Sequence, residues 1–406
     1  MSRLVVPAAV WSSRKGIGVL ILVLNPGSSS LKYQVRRLGA PGTKPGILLN
    51  RAVDVPQEGP PTPGLLGAAF DVIDAAVRKV SSGARLEAIG HRVVHGGERF
   101  TSPIRVTPDV MEAIEELGEL APLHNAASVA CMRAGAARWP DTPQIAVFDT
   151  AFHHTMPEFA ARYAVPEDLY KRYRIRRYGF HGISVEIACR DTAAFLGVPQ
   201  SSLNAVVAHL GNGASVTAVK NGRSADTSMG MTPLEGLVMG TRSGDLDPPV
   251  VTLLQRRGLT LDEVDRLLNH EAGLLGLTGS ADMRKVQDAA QQGNPQAILA
   301  SDMAAYRLAK YIAAYNMVVG GAVALVFTGG IGEHSIQFRA RVMSLLGPLG
   351  VDVDDGRNRA GDSGIRIISS DGSRFPVLVV PSDEERAIAE ATAAVVLSNG
   401  PASRSL

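Results

Sequence analysis

Basic and acidic side chains follow several apolar segments of this sequence. Arg92 lies near the end of one predicted strand and Asp149 follows another directly, while His181 lies in a glycine turn and Arg242 in a glycine-flanked loop. Each one alone fits a structural polar residue as well as a functional one. Because open α/β sheets bind ligands at the carboxyl ends of their strands, the four together predict one common ligand site.

These side-chain types are the ones that phosphoryl transfer requires. Arginine binds phosphate or carboxylate oxygens through paired hydrogen bonds, histidine donates to phosphoryl oxygens, and carboxylates place Mg²⁺. The reaction depends on positioning and charge neutralisation rather than on covalent chemistry by the protein. Neither a Walker GxxxxGK[ST] motif nor the protein-kinase motif set occurs in the chain. The candidate residues are Arg92, Arg242, His124, His181, His209, Asp149 and Glu384.

A glycine hairpin occurs twice. The predicted strand 205–208 ends in His209-Leu-Gly-Asn-Gly213, and the strand 19–24 ends in Asn25-Pro-Gly-Ser-Ser-Ser30. One Gly-x-Gly turn by itself fits a structural turn better than a phosphate site. Aligning Gly27 with Gly213 gives an offset of 213 − 27 = 186 residues, so the repeat predicts two related domains that face a shared nucleotide cleft. A third glycine turn, 328–333, predicts an anion site at the start of a helix.

The spacing of apolar residues predicts an α/β chain with mixed sheets flanked by helices. We expect an N-terminal extension at 1–18, domain I at 19–150 together with 385–406, and domain II at 151–384, with a surface loop at 56–64 and a frayed tail at 399–406. Predicted strands are 19–25, 31–38, 47–55, 88–94, 144–148, the hairpin strands within 205–227, 323–327, 365–369 and 376–380. Predicted helices are 65–80, 108–120, 126–138, 246–258, 261–270, 295–319, 335–346 and a final helix from 382.

Composition and charge argue against several protein classes. The formal net charge of +2 over 406 residues gives no field that favours nucleic acid or a membrane. No apolar run approaches the roughly 20 residues that a membrane helix needs. Cys131 and Cys189 do not form a disulfide scaffold, and we interpret both as buried packing residues in a reducing cytosol. Residues 1–18 fit a loose extension better than a secretory signal, because Pro7 interrupts their apolar run.

Two further motifs have competing explanations. His91 and His95 have the spacing of a zinc helix, but the valines and glycines beside them predict a strand and a turn. The basic segment 171–177 has tyrosines on either side, as an RNA-binding patch would. In a chain of nearly zero net charge, a solvated or interface face explains that segment better.

Seven motifs, in order along the chain, resemble those of the acetate kinase family, which belongs to the actin/hexokinase/Hsp70 superfamily. The ordered set carries the resemblance, which runs from about Leu20 to about Leu397. It implies duplicated ribonuclease-H-like (actin-type) domains with the active site in the cleft between them. The motifs are Asn25-Pro-Gly-Ser-Ser-Ser-Leu-Lys32, Gly90-His-Arg-Val-Val-His-Gly-Gly-Glu98, Phe148-Asp-Thr-Ala-Phe-His153, Tyr178-Gly-Phe-His-Gly182, His209-Leu-Gly-Asn-Gly213, Met239-Gly-Thr-Arg-Ser-Gly-Asp245 and Gly329-Gly-Ile-Gly-Glu333.

The resemblance implies a cytoplasmic homodimer that transfers the γ-phosphoryl group of ATP to acetate, reversibly and in line, with Mg²⁺ or Mn²⁺. Asn25 and Glu384 would hold the metal ion, and His181 would stabilise the transition state with His124 nearby. Arg92 and Arg242 would hold the substrate carboxylate and the phosphoryl group. Implied nucleotide contacts are Lys32, His209, Leu210, Gly211, Asn212, Gly213, Asp282, Met283, Arg284, Gly330, Ile331, Gly332, Glu333 and His334. The pocket for the substrate methyl group would consist of Val94, Leu123, Phe180 and Pro233.

Asp149 is essential by the same resemblance, and its role follows from the chemistry of the acceptor. A carboxylate substrate with a pKa of about 4 is already ionised at pH 7, so no proton has to be removed from it. We therefore predict that Asp149 orients an arginine or metal-bound water and does not act as a general base.

The sequence departs from the family at three places beside the predicted centre. Ile183-Ser-Val185 replaces the usual Thr-Ser-His, Ala126-Ala-Ser128 replaces Pro-Pro-Asn, and His334 replaces Asn. These changes bear on substrate preference and dimer packing. A propionate or butyrate kinase, distinguished by pocket depth around Val94 and Pro233, is therefore an alternative. An Hsp70/actin-type ATPase switch is a second one, although such a protein would need neither the two arginines nor a methyl pocket.

Overall fold

The structure, a computed structural model, describes residues 18–27, 30–39, 46–55, 63–119, 122–361 and 363–398, without the side chains of 63–65, 119 and 122–124. These residues form two compact units. The first combines residues up to Ala151 with the C-terminal segment from Asp383, and the second runs from Phe152 to Ser382. The predicted extension, the tail and most of the loop 56–64 lie outside the described residues. No helix in the described ranges is both long and apolar enough to cross a membrane.

The elements alternate between strands and helices along both units. The strands are β1 (Val19–Pro26), β2 (Ser30–Leu38), β3 (Gly46–Asp54), β4 (Ala88–Val93), β5 (Ile104–Arg105), β6 (Gln144–Phe148), β7 (Ala205–Leu210), β8 (Ala214–Lys220), β9 (Arg223–Thr227), β10 (Ala324–Thr328), β11 (Arg366–Ile367) and β12 (Val377–Val379). The helices are α1 (Pro63–Ser81), α2 (Pro108–Glu116), α3 (Pro122–Arg138), α4 (Glu158–Ala161), α5 (Glu167–Tyr173), α6 (Gly182–Phe195), α7 (Pro249–Arg256), α8 (Leu261–Arg266), α9 (Gly273–Thr278), α10 (Met283–Gln291), α11 (Pro295–Val318), α12 (Gly329–His334), α13 (Ile336–Leu345), α14 (Asp355–Arg359) and α15 (Glu384–Ser398).

The first unit is built on a six-stranded mixed sheet in the order β3-β2-β1-β4-β6-β5. β1, β2 and β3 form an antiparallel meander, and β4 and β6 run parallel to β1. Leucines of β1 pack against α1 on one face of the sheet. α15 packs closely against β1 and β4. Gly90 permits this approach, because a Cβ atom there would lie 2.4 Å from the Thr392 hydroxyl oxygen of α15.

The second unit repeats the arrangement with a sheet in the order β11-β12-β10-β7-β8-β9. β7, β8 and β9 are antiparallel, and β10 and β12 run parallel to β7. This match between the two sheets confirms the predicted duplication, and both units have the predicted ribonuclease-H-like (actin-type) fold. β1 and β7 begin at Val19 and Ala205, 205 − 19 = 186 residues apart, which is the predicted offset of the repeat.

Most predicted elements occur within a few residues of their predicted bounds, and the exceptions have physical reasons. α6 was not predicted, because residues on most of its sides are buried and no amphipathic period results. The predicted helix 261–270 ends as α8 at Arg266 and continues as a π-helical turn, Leu267–Glu271. Both cysteines are buried as predicted. His91 lies in β4, which confirms the strand prediction for this histidine.

Candidate active site

In the first unit, the polar cluster is centred on Arg92 near the end of β4. Its Nε and Nη2 atoms donate to Asp149 Oδ2 at 3.1 and 2.5 Å, and Nε also lies 3.3 Å from Oδ1. Glu384 Oε2 lies 3.9 Å from Nε. Burial acts to lower the pKa of Arg92, but the carboxylates of Asp149 and Glu384 outweigh it and raise that pKa above its ordinary value. The guanidinium is therefore a permanent cation whose orientation the protein fixes.

Asn25 joins this cluster from the end of β1. Its Oδ1 atom accepts a hydrogen bond from Arg92 Nη1 at 3.2 Å, and its Nδ2 atom donates to Glu385 Oε1 at 3.4 Å. Lys32 lies directly opposite Asn25 in the β1–β2 register, so the two side chains are on the same face, and Lys32 is exposed. The structure thus brings together four predicted residues of the first unit, Asn25, Lys32, Arg92 and Asp149, with Glu384.

A buried ion pair fixes the start of α15, which carries Glu384. Arg36 on β2 is 1% exposed and pairs with both carboxylate oxygens of Asp383. Asp383 also accepts a hydrogen bond from the backbone N–H of Arg386 at 3.1 Å. The sequence did not predict a role for Arg36 or Asp383, because they are 347 residues apart and belong to no motif.

The remaining predicted residues of the first unit surround the loop after β4. Val94 is half-buried, and α3 carries Leu123 and His124, whose side chains lie outside the description. The next residue, Asn125, is buried and exchanges hydrogen bonds of 3.1 and 3.0 Å with the backbone of His95. Ser128 donates to the Arg92 carbonyl at 3.1 Å. The two side chains therefore tie α3 to the loop that follows Arg92.

In the second unit, His181 and His209 stack with their ring centroids 4.3 Å apart. His181 precedes α6 in the left-handed backbone region, at φ 60°, and His209 is the penultimate residue of β7. His181 Nδ1 lies 2.9 Å from Ser215 Oγ, and His209 Nδ1 lies 2.8 Å from Ser184 Oγ. Neither serine was predicted as a site residue.

The predicted glycine turn lies beside these histidines, between β7 and β8. The backbone N–H of Gly211 donates to the Gly213 carbonyl at 3.0 Å, and the Asn212 carbonyl accepts from the Gly240 N–H at 3.0 Å. A Cβ atom on Gly213 would lie 3.3 Å from Arg242 Nη1 and 3.5 Å from His181 Nε2. The absence of a side chain at position 213 therefore keeps open the space in front of the arginine and the histidine.

Arg242 differs from Arg92 in that its neighbours among the described residues are uncharged. Its Nη1 atom donates to the Pro233 carbonyl at 3.1 Å and lies 3.6 Å from Met239 Sδ. Across the described ranges of the chain, no carboxylate forms an ion pair with it. Burial consequently lowers the pKa of Arg242, without an acidic neighbour to oppose this effect.

Ion pairs hold the segment 228–245, which carries Arg242 and Pro233. Glu235 accepts short hydrogen bonds from Arg177 Nη2 and from the Tyr163 hydroxyl. Arg177 Nη1 also donates to the carbonyls of Ser228 and Met229 at 3.1 and 3.0 Å. The basic segment 171–177 was predicted to form a solvated or interface face; Arg177 at its end is directed inward and pairs with Glu235.

Phe180, predicted to line the substrate pocket, is 2% exposed and is held by a buried histidine. The Phe180 carbonyl lies 2.9 Å from His153 Nε2, and His153 Nδ1 lies 2.9 Å from Ser224 Oγ. Burial lowers the pKa of His153 to about 4, so this ring is neutral at pH 7. His153 thus fixes the turn that presents Phe180 and His181.

Three predicted nucleotide segments meet around one small apolar cavity in the second unit. Leu210, Met283 and Ile331 all line this cavity, which has a volume of about 20 Å³. Asp282 caps α10 and pairs with the exposed Arg284 at 2.7 Å. The segments brought together are 209–213, 282–284 and 330–334.

The last of these segments follows β10 as the six-residue helix α12. No atom lies within 4 Å of a Cβ built on Gly330, whereas the carbonyls of Gly332 and Glu333 accept hydrogen bonds from Arg339 Nη1 at 2.9 and 2.8 Å. Glu333 Oε1 accepts from the Ser382 N–H at 2.9 Å, and His334 is exposed. Gly330 is thus the residue of this segment with open space around its backbone.

Comparisons with known proteins agree with these motifs. The acetokinase family model matches residues 63–390. A protein named acetate kinase from Pseudarthrobacter chlorophenolicus is 54% identical over 382 residues, which cover 93% of this chain and 99% of that protein. The crystal structure of Porphyromonas gingivalis acetate kinase is 39% identical with a TM-score of 0.82, and covers 93% of this chain and 100% of that one. A propionate kinase from Francisella tularensis subsp. tularensis SCHU S4 is 37% identical with a TM-score of 0.83, covering 92% and 99%.

Proposed function

The chain belongs to the acetokinase family, and from this premise we propose that it transfers the γ-phosphoryl group of ATP to acetate, giving acetyl phosphate and ADP in a reversible reaction. The observation that carries the proposal is the environment of Arg242. This half-buried guanidinium has no carboxylate partner in the described part of the chain and lies beside the open space at Gly213. Partial removal of a cation from water without a counter-ion is unfavourable, so the position favours an anionic ligand such as a phosphoryl group.

Arg92 has the complementary role in this proposal. Asp149 holds two of its nitrogens, while its Nη1 atom is directed to Asn25. A guanidinium fixed in this way is suited to hold the acetate carboxylate in a single orientation. The hydrogen bonds of Asp149 support its prediction as an orienting residue, because its carboxylate is already engaged with a cation.

Oxygen donors for Mg²⁺ occur around the same guanidinium. Asn25 Oδ1 and Glu384 Oε2 both lie within 4 Å of Arg92 nitrogens, and the described residues contain no group of three or more His, Cys, Asp or Glu side chains that could hold a metal ion. Mg²⁺ in kinases uses one or two protein ligands together with phosphate oxygens and water, so this donor set fits Mg²⁺, or Mn²⁺ in its place. When bound, the ion neutralises charge on the phosphate oxygens.

The proposed phosphoryl transfer needs no proton transfer. An acetate oxygen forms the new bond to the γ-phosphorus while the bond to the β–γ bridging oxygen breaks, and ADP leaves with that electron pair. Both oxygens are anionic, so the main task of the protein is to shield negative charge in the transition state. We propose that Arg92, Arg242 and His181 supply that shielding, and the family resemblance adds His124 to this set.

The nucleotide contacts follow from the glycine turn and its neighbours. The backbone N–H groups of Asn212 and Gly213 and the side chains of His209 and Lys32 are proposed to contact phosphate oxygens, while Gly211 closes the turn through its hydrogen bond to the Gly213 carbonyl. The segments 282–284 and 330–334 are proposed to contact the nucleoside, since they meet the turn around the cavity described above.

A longer acyl substrate is the second candidate, because one of the similar solved structures is named a propionate kinase. The proposed pocket consists of Val94, Leu123, Phe180 and Pro233. Val94 and Pro233 are half-buried and Phe180 is buried. One additional methylene changes the transition-state energy by about 1–3 kcal/mol, so rates with the two acids differ measurably.

The proposal is tested by measuring Mg²⁺-dependent ADP release from ATP with acetate, propionate, butyrate or no acid, while hydroxylamine traps acyl phosphate. We expect acyl hydroxamate with acetate in the largest amount. Arg242→Ala is expected to lower the rate about 10³-fold, because one charge-stabilising donor of this kind contributes that much. Arg256→Ala, which removes an exposed arginine of α7, is the matched control and should leave the rate unchanged.

Two outcomes would contradict the proposal. ADP release that does not depend on the acid and yields no hydroxamate would favour the ATPase switch, and hydroxamate greatest with propionate would favour the second candidate. We further propose that the protein is a cytoplasmic homodimer. Sedimentation of the purified protein tests the oligomeric state.

A further inference from the structure

We propose that Ser184 and Ser215 are positioning residues that hold His209 and His181 as neutral imidazoles with the proton on Nε2. The inference deepens the proposed function and rests on it for its catalytic consequence, although the tautomers themselves are properties of the free protein. It assigns a role to two serines for which the sequence predicted none.

The two serine–histidine pairs are arranged reciprocally. Ser184 in the first turn of α6 contacts His209 at the end of β7, and Ser215 in β8 contacts His181, which directly precedes α6. Both serines are fully buried. Each ring is therefore fixed by an element other than its own, and the stacking of the rings at 4.3 Å adds a third constraint.

The hydrogen-bonding requirement of a buried hydroxyl determines the tautomer. Within the described residues, the ring nitrogen of the paired histidine is the hydrogen-bond partner of each serine Oγ atom. A buried O–H group without an acceptor is destabilising, so each hydroxyl donates its proton to Nδ1. A neutral imidazole that accepts at Nδ1 carries its own proton on Nε2.

The Nε2 atoms are directed to the glycine turn. Cβ atoms built on Gly213 and Gly211 would lie 3.5 Å from His181 Nε2 and 3.8 Å from His209 Nε2, respectively. Two imidazolium charges at this ring separation would repel each other, which also favours the neutral forms. Both rings then offer fixed N–H donors at the position proposed for phosphate oxygens, and neither has to transfer a proton.

Serine-to-alanine variants test the inference directly by ¹⁵N NMR of ring-labelled histidines in the nucleotide-free protein at pH 7.5, with signals assigned from His181→Asn and His209→Asn. We expect Nε2–H tautomers for both rings in the unmodified chain. Ser215→Ala should shift His181, and Ser184→Ala should shift His209, toward a mixture of tautomers. Thr217→Val is the matched control, because it removes a buried hydroxyl from the same strand whose partner is Thr227.

Kinetics supply the second readout. Loss of one such hydrogen bond, about 1.4 kcal/mol, corresponds to a kcat lowered about tenfold, with smaller changes in the KM for ATP and acetate. Ser215→Thr retains the hydroxyl and should retain most of the activity. Ser215→Cys keeps a side chain of similar volume, but its S–H group is a much weaker hydrogen-bond donor. It is used in these measurements in place of Ser215→Ala if the alanine variant does not fold.

The outcomes separate this inference from the proposed function. An Nδ1–H tautomer of either ring in the unmodified chain, or an unchanged tautomer in both alanine variants, would overturn the inference even if acetyl phosphate is formed. Expected tautomers in a protein that forms no acyl phosphate would leave the serine–histidine assignment in place and refute the proposed function.

Discussion

Two arginines of the candidate site differ in how their charge is compensated. Arg92 is held by Asp149 and approached by Glu384, whereas Arg242 contacts a carbonyl and a thioether sulfur. The first is a rigid cation whose position does not depend on a ligand. The second is a cation that an anionic ligand would stabilise. We infer that their contributions to catalysis differ, with Arg92 providing orientation and Arg242 providing charge stabilisation.

The role of Asp149 is testable by Asp149→Asn. The Asp149 carboxylate is 1% exposed and forms three contacts with Arg92. An asparagine at this position would lack the negative charge, so Arg92 would be held less precisely and its positive charge would be less well neutralised. We expect kcat to fall about 10²-fold, from a loss of about 3 kcal/mol, and the pH–rate profile to stay parallel to that of the unmodified enzyme. Steady-state kinetics between pH 6 and pH 9 measure both effects.

The control for Asp149→Asn is Glu115→Gln. This variant removes the acidic member of an exposed ion pair between Glu115 on α2 and Arg133 on α3, and should leave kcat unchanged. Full recovery of Asp149→Asn activity at high pH would show that Asp149 acts as a general base, and would contradict the orienting role.

At the scale of single residues, the sequence was informative about side chains at strand ends and uninformative about what holds them. Arg92, Asp149 and His209 follow apolar runs, so their positions could be predicted from strand periodicity. Ser184, Asn125 and Glu235 could not be predicted, because a hydrogen bond across 25, 30 or 58 residues leaves no periodic signal.

Among the elements, the segment 228–245 is anchored by charged side chains as well as by backbone hydrogen bonds. Glu235 anchors it near the middle through Arg177, and Asp245 anchors its end through the Gly236 N–H and the Tyr311 hydroxyl at 2.9 Å. Burial opposes the charge of Arg177, but Glu235 outweighs it and raises the pKa of Arg177 above its usual value. We infer that these anchors help to position Arg242, which belongs to the same segment.

We therefore predict that Glu235→Gln loosens the segment. Because it leaves the largely buried Arg177 with only Asp226, 3.9 Å from its Nε atom, as a carboxylate neighbour, the free energy of unfolding should fall by about 2 kcal/mol. The kcat should fall as well, since Arg242 Nη1 is anchored to Pro233 in the same segment. Urea unfolding and steady-state kinetics measure the two effects.

The matched control for Glu235→Gln is Asp302→Asn, which breaks the exposed pair with Arg341 and should change neither quantity. A Glu235→Gln protein that is destabilised but keeps its full kcat would show that Arg242 is positioned independently of the Arg177–Glu235 pair.

Prediction of elements succeeded where one face is buried or where a short apolar run is bounded by glycine. β6 and α11 were predicted to within a residue, because β6 is a short apolar run that ends at Asp149 and α11 begins at Pro295 after the capping residue Asn294 and ends before Gly320. α6 was missed because the burial of Ile183, Val185 and Cys189 spreads apolar residues around the helix. Missing this helix did not affect the prediction of the site, because His181 belongs to the turn before the helix.

Among the described residues, each unit contains a fully buried histidine whose pKa is lowered by burial and that does not belong to the proposed machinery. His91 in the first unit lies 2.6 Å from Gln144 Oε1 through Nε2, and His153 in the second unit is held between Ser224 and the Phe180 carbonyl. Burial lowers the pKa of each to about 4, against 6.5 for an exposed histidine. Both units therefore fold with a neutral histidine that the unfolded chain protonates below pH 6.5.

This difference predicts how stability depends on pH. Between pH 6.5 and pH 4 the unfolded chain binds more protons than the folded one, so the free energy of unfolding falls as the pH is lowered through that window. Each histidine contributes a loss of about 2 kcal/mol between pH 7 and pH 5. Urea unfolding at the two pH values measures the combined loss from both histidines.

His91→Gln and His153→Gln place a side chain that cannot be protonated in this range at each position. Each variant should reduce the pH-dependent loss by about 2 kcal/mol, whatever its effect on the free energy of unfolding at pH 7. A variant with the same pH dependence as the unmodified chain would show that its histidine is protonated equally in the folded and unfolded states.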